Sequence, residues 1–344
     1  MLVVAAVAGG LLGVAHASRT PGLGLLVEAE AADASDGSGA AARAPMPAPE
    51  MTFTAADRAR FATLPATPGK VPVLLFHQVC PDVCGPEATY GVTQTELMKM
   101  LLAVQSAGYT TITIADYVRA MQGETADLPA RPLLVTFDDG RLDAYRGADD
   151  VLRAVGARAT MYVMTAELNR NPAFRMLGAE VDAAFASGRW DIQLHAHGGH
   201  VRVHAGVDDT GAPALMPFYA SRKHTAGDIE SFAAWKARTE DDVSTGQSLL
   251  AARIGGARYA SLTFAVPFGD YGQQDTNDPA IAPAFRSFLD ARFAVWFTQP
   301  SEDPDFSAPS TTESHEAPRF TIYRTTTAEL VYDWLARHAT PSSL

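Results

Sequence analysis

Leu133-Leu134-Val135-Thr136-Phe137-Asp138-Asp139-Gly140 reads as a short β-rich run that ends in two adjacent carboxylates and a glycine. Successive side chains on a strand point to opposite faces, so consecutive aspartates suit a sheet only where the strand stops. Gly140 lets the backbone turn there. Two carboxylates this close drive one pKa up unless a cation lies between them. The pair therefore suggests a metal, with one Asp as ligand and the other as base. An Asp-Asp-Gly also makes an ordinary turn, and this stretch alone does not separate the two readings.

Working outward, short β-rich runs alternate with helix-length amphipathic stretches from residue 70 onward. The expected strands are Val71 to Phe76, Thr110 to Ile114, Leu133 to Phe137, Thr160 to Met164, Asp191 to Leu194, Leu262 to Val266, Ala294 to Phe297 and Phe320 to Tyr323. This alternation is that of an α/β protein with a parallel sheet or barrel. Thr93 with Glu96, and Thr326 with Glu329, have the spacing of helix capping boxes. Two long connections, residues 201–227 and 299–318, are expected to flank a cleft, with a helix from Asp228 to Arg253 after the first.

The reactive residues fall at the ends of these strands. His77 follows the first, Asp138 and Asp139 the third, His195 to His200 the fifth, and Pro267-Phe268-Gly269 the sixth. In a parallel barrel all those ends share the face on which active sites are built, so the groups converge. The segment His195-Ala196-His197-Gly198-Gly199-His200, with His204, places four of the nine histidines within ten residues. Such clustering favours metal binding. His195 and His200 can share one ion only if the chain turns between them, which Gly198-Gly199 allows. His195 with His197 is the competing pair. One carboxylate and two imidazoles leave positions for water and substrate, as in a catalytic metal site. Zinc is the default expectation, and iron, cobalt or nickel fits the same donors.

Composition excludes several classes. The 344 residues carry 27 Lys+Arg against 39 Asp+Glu, a net charge of −12, and 47% are hydrophobic. That is too apolar for a disordered chain, too polar for a multispan membrane protein, and of the wrong sign for nucleic acid. Cys80 and Cys84 are the only cysteines. Two thiols are too few for a closed zinc site, but can pair in an oxidising compartment. Leu2 to Val14 is an uncharged apolar run shorter than a membrane span. With Ala15-His16-Ala17 after it, residues 1–17 read as a signal peptide or membrane anchor, although no Lys or Arg precedes the run. Residues 18–67, rich in Ala, Pro, Gly and Ser, read as a linker, and 68–344 as one catalytic domain. The expectation is an exported monomer, extracellular, periplasmic or anchored to the outer face of the cytoplasmic membrane.

These motifs resemble the polysaccharide deacetylases of carbohydrate esterase family four. Thr136-Phe137-Asp138-Asp139-Gly140 looks like that family's first motif, His195 to His200 like its second, and Phe264-Ala265-Val266-Pro267-Phe268-Gly269 like its third. Val71 to His77 resembles the family's opening strand. The five-residue histidine spacing is similar to that of exported deacetylases of the biofilm polymer poly-β-1,6-N-acetylglucosamine. The resemblance implies a distorted (β/α) barrel of about seven to eight strands. It also implies hydrolytic N-deacetylation by metal-bound water. Asp139, His195 and His200 would hold the metal, Asp138 would be the general base, and the backbone N–H of Phe268, after Pro267, would serve the oxyanion. His77 and His197 are further candidates for the site.

Two departures stand out. Many members orient the base with an Arg two residues before the motif-three proline, where this chain has Ala265; Arg222 and Arg238 are candidates to replace it. The family's late Leu-x-His motif, source of the general acid, is not visible in Phe320-Thr321-Ile322-Tyr323-Arg324. His224, His315 and His338 are available but read as surface histidines. Phe218, Tyr219, Tyr271 and Trp296 either line a groove for sugar rings or belong to the core. The competing functions are deacetylation of peptidoglycan, chitin oligomers or acetylxylan, and a catalytically weak sugar-binding module on the same fold.

Overall fold

The computed structural model describes residues 41–207, 211–225, 227–255, 262–299, 303–307 and 315–339. Its centre is a sheet whose hydrogen-bonded path runs Glu316–Ala317, Val295–Phe297, Thr263–Ala265, Trp190–Ala196, Ala159–Met164, Pro132–Phe137, Val73–Phe76, Phe320–Thr321. Every neighbouring pair along it is parallel. Thr110–Thr111 adds a short strand beside Pro132–Phe137, and helix Ile114–Met121 takes over where a longer strand was expected. The first and last strands of the path are joined by only Pro318 and Arg319, so the sheet must curl until its edges nearly meet. The result is the expected distorted α/β barrel of about eight strands, with an open seam at Arg319. The Glu316–Ala317 strand, absent from the sequence reading, forms one lip of that seam.

Strand alternation sorts the core into two layers. Leu133, Val135 and Phe137 pack outward with Leu97, Val104, Val151 and the other helix residues of the larger apolar cluster. Leu134 joins Val73, Tyr162, Ala265 and Phe297 on the inner side. The interior is polar as well as apolar. Tyr162 Oη meets Thr263 Oγ1 at 2.8 Å, and Thr136 Oγ1 donates to Leu74 O at 2.8 Å. These paired hydroxyls meet the demand of a low-dielectric interior, whereas Thr160 Oγ1, on the same strand as Tyr162, is buried without a partner.

Helix Gln94–Ser106 opens with the expected box, Thr93 Oγ1 accepting from Glu96 N and Glu96 accepting from Thr93 N at 2.7 Å. Near the C-terminus the cap lies one residue later than expected. Thr327 Oγ1 accepts from Leu330 N at 3.3 Å, while Thr326 Oγ1 accepts from Tyr323 N at 2.9 Å and closes the preceding turn. Residues 201–227 hold an antiparallel hairpin, Arg202–Val207 with Pro213–Pro217, before the long helix Phe232–Ile254.

Residues 41–53 lie against the domain. Arg43 Nε donates to the fully buried Glu180 at 2.7 Å, Met46 N donates to Arg146 O at 2.8 Å, and Gln94 Nε2 donates to Pro47 O at 3.2 Å. The segment that reads as linker is therefore anchored from Arg43 onward, followed by the short helix Ala55–Arg60. Residues 1–40, including the apolar run, lie outside the described residues. Among the described residues no helix is long and apolar enough to cross a membrane.

Candidate active site

Asp138 and Asp139 reach one pocket by a change of backbone conformation. Asp138 keeps the strand's alternation, in phase with the inward-facing Leu134 and Thr136. Asp139 would face away, but its φ of 75° is left-handed and turns its carboxylate back inward. Such a conformation costs a non-glycine residue about 1–3 kcal/mol, and the surroundings fix it. Arg175 Nη1 donates to Asp139 O at 3.0 Å, and Gly140 N donates to Tyr162 O at 2.9 Å. Gly140 itself has φ 56° with Val163 close to where a Cβ would stand.

Asp139 Oδ1 lies 3.5 Å from His195 Nε2 and 3.4 Å from His200 Nε2. Donor distances of about 2.0–2.2 Å place neighbouring ligands of a tetrahedral zinc about 3.4 Å apart, so the three groups fit around one small cation. Two further observations agree. Asp139 Oδ1 is buried without a hydrogen-bond partner. His195 Nδ1 lies 2.7 Å from Ala265 O, an acceptor only, so Nδ1 carries the proton and Nε2 points a lone pair at the carboxylate. Burial, with His195 beside it, lowers the His200 pKa to about 4, leaving its imidazole neutral at neutral pH. Burial alone would raise the Asp139 pKa. In their protonated forms the imidazoles of His195, His200 and His77 outweigh it and lower the carboxyl's pKa.

Arg319 orients Asp138. Its Nη1 and Nη2 donate to the two carboxylate oxygens at 2.8 Å each, and both side chains are buried. The guanidinium lies 5.5 Å from the Phe297 ring and 5.7 Å from the Tyr162 ring. Burial raises the Asp138 pKa, but Arg319, His195 and His77 more than offset this, so the carboxylate is ionised. Arg222 and Arg238 do not take this role. Arg222 pairs with Asp278 at 3.0 Å, and Arg238 with Glu230 at 2.8 Å. The sequence reading missed Arg319 because the residue lies in the seam between two two-residue strands, far along the chain from Asp138.

The histidine turn is braced from the long helix. Asp242 accepts from His197 N at 2.9 Å, Gly198 N at 2.8 Å and Tyr219 Oη at 2.5 Å. A Cβ on Gly199 would fall 2.5 Å from Tyr219 Oη, so only glycine fits between the turn and that ring. His197 turns away from the aspartate pair, with Nδ1 2.8 Å from Thr165 Oγ1. Phe268, after Pro267, has a left-handed φ of 61° and packs its ring 4.4 Å from that of His200. Arg202 covers the ring at 5.0 Å.

His77 lies in the electrostatic field of both aspartates, and its Nδ1 is buried without a partner. Burial pushes its pKa down, with Asp139 and Asp138 opposing. The other described histidines are engaged elsewhere: His315 Nδ1 with Phe293 O at 2.8 Å, His338 with Asp303 at 3.2 Å, and His224 against His204 at 6.1 Å. Phe218, Tyr219, Tyr271 and Trp296 are all buried, so they are core and not groove. Large exposed aromatics near His77 are Tyr90 and Tyr323 instead.

Residues 125–278 match the polysaccharide deacetylase family model. That span contains both aspartates, the histidine turn and Pro267-Phe268, and leaves His77 and Arg319 outside. The fold is similar to that of a de-N-acetylase from Aggregatibacter actinomycetemcomitans, with a TM-score of 0.63 and 19% identity over 77% of this chain and 100% of that one. IcaB from Ammonifex degensii is similar at a TM-score of 0.56 and 20% identity, over 78% of this chain and 97% of that one. The BpsB deacetylase domain from Bordetella bronchiseptica gives 0.56 and 19%, over 75% and 97%. No curated protein matches in sequence.

Proposed function

We propose that this protein is a metal-dependent N-deacetylase of an exported or cell-envelope N-acetylglucosamine polysaccharide. The observation that carries the reading is the pairing of a three-donor cluster, Asp139, His195 and His200, with a separate, ionised carboxylate, Asp138, held by Arg319. The family match and the fold shared with de-N-acetylases support the substrate class. Poly-β-1,6-N-acetylglucosamine is the first candidate polymer, on the five-residue spacing of the two ligand histidines.

Asp139, His195 and His200 would hold one divalent cation, zinc by default, which when bound supplies Lewis acidity to the acetamide carbonyl and to water. Asp138 accepts the proton of the attacking water while Arg319 keeps its carboxylate in place. The Phe268 N–H donates to the carbonyl oxygen as negative charge develops there. His77, whose buried Nδ1 has no partner within the protein, is the candidate to hand a proton to the departing amine. Acetate and a free amine are the products.

A binding-only module is the weaker reading. It drew on a missing base-orienting arginine and a missing general-acid motif, and Arg319 on Asp138 answers the first of these. The test is acetate release by the purified full-length protein from poly-β-1,6-N-acetylglucosamine, chitin oligomers, peptidoglycan and acetylxylan. Release from a glucosamine polymer supports the proposal, release from xylan alone moves the substrate class, and binding without release favours the module.

A further inference from the structure

His77, Tyr90 and Tyr323 form a continuous aromatic row that starts beside the aspartate pair and runs outward. The His77 and Tyr90 ring centroids are 4.8 Å apart, and those of Tyr90 and Tyr323 5.3 Å. Tyr90 is 41% exposed and Tyr323 36%, whereas most other large aromatics of the domain are buried. Burial normally rewards a tyrosine ring, so two adjacent, partly exposed rings beside the aspartate pair mark a contact surface.

The row is built on fixed backbone. Tyr323 follows directly on Ile322, whose N–H donates to Leu75 O at 2.8 Å, and Tyr323 N donates to Thr326 Oγ1 at 2.9 Å. Tyr90 precedes Gly91–Thr93, which pairs with Gln78–Cys80 next to His77. Arg324 ties the two segments together: its N–H donates to Thr89 O at 2.8 Å and its Nη1 to Pro86 O at 2.9 Å. The Cys80–Cys84 disulfide closes the loop at the other end. The rings are therefore held in position before a ligand arrives, which lowers the entropy cost of binding.

We infer that Tyr90 and Tyr323 are a stacking platform for a pyranose ring of the polymer, one or two sugars away from the residue whose acetamide reaches Asp138. The inference rests on the deacetylase reading for the identity of the ligand. A β-linked glucosamine ring has equatorial substituents and presents axial C–H groups on its faces, and these pack on an aromatic face. Continuity with His77 fixes the occupant. A polymer with one residue in the pocket must lay its neighbours along the surface that leads out of it.

The experiment uses full-length protein and fully acetylated β-1,6-linked N-acetylglucosamine oligomers of increasing length. In the wild type, kcat/KM rises with length. In Tyr90→Ala and Tyr323→Ala the rise is flattened, with a loss of about tenfold on the longest oligomer, while Tyr90→Phe and Tyr323→Phe keep the rise because the ring face suffices. An unchanged length dependence in both alanine variants overturns the platform. If the wild type releases no acetate, the deacetylase reading fails on its own, and calorimetric binding of the longest oligomer decides the platform. Affinity about tenfold weaker in the alanine variants supports it, and equal affinity or no binding by the wild type overturns it.

Discussion

Arg319 grips Asp138 across 181 residues of sequence, with two parallel hydrogen bonds of 2.8 Å inside the barrel seam. Breaking one side of a buried ion pair leaves an uncompensated charge, so Arg319→Met should cost about 3–5 kcal/mol of stability. Denaturant unfolding of wild type and variant measures the difference. Turnover should fall with it, because Asp138 loses its orientation.

The same pair predicts a pH dependence. Asp138 has its folded pKa below its ordinary value, so its stabilising contribution is present above about pH 4 and is lost as pH falls through the lowered folded value. The stability gap between wild type and Arg319→Met should therefore narrow in acid. A gap that widened below about pH 4 would contradict the assignment.

Asp138→Asn should abolish most turnover, by a factor of about 10²–10⁴, while leaving metal bound; His200→Ala should lose both. Elemental analysis and acetate release on the same samples separate the outcomes. Full activity in Asp138→Asn would remove it as the base.

Asp242 touches no donor atom, yet it accepts from the backbone of His197 and Gly198 between the two ligand histidines. Asp242→Ala should weaken metal affinity about 10–100-fold, the usual cost of losing an outer support. Competition with a chromogenic chelator reads this directly, and Asp242→Asn should recover part of it.

Much of the site is legible in the chain because its residues sit at strand ends in short contiguous motifs. Asp138, Asp139, His195 and His200 meet there for that reason, and the Thr93–Glu96 cap follows from local spacing alone. What escapes is non-local or conformational. Arg319 belongs to no motif, since its role depends on the closure of the sheet. The left-handed φ of Asp139 is what lets adjacent aspartates share a pocket, and composition carries no trace of it. Phe218, Tyr219, Tyr271 and Trp296 are core because helix and hairpin cover them, and aromatic content does not distinguish that from a groove. Tyr90 and Tyr323 look like isolated tyrosines until Arg324 brings their segments together.

The most direct test is metal stoichiometry and acetate release measured on one preparation, as purified, after chelation, and after return of zinc. The account predicts about one metal per chain, release from an N-acetylglucosamine polymer that stops on chelation and returns with zinc, and neither metal nor release in His200→Ala. Undiminished acetate release by the fully chelated protein would contradict it.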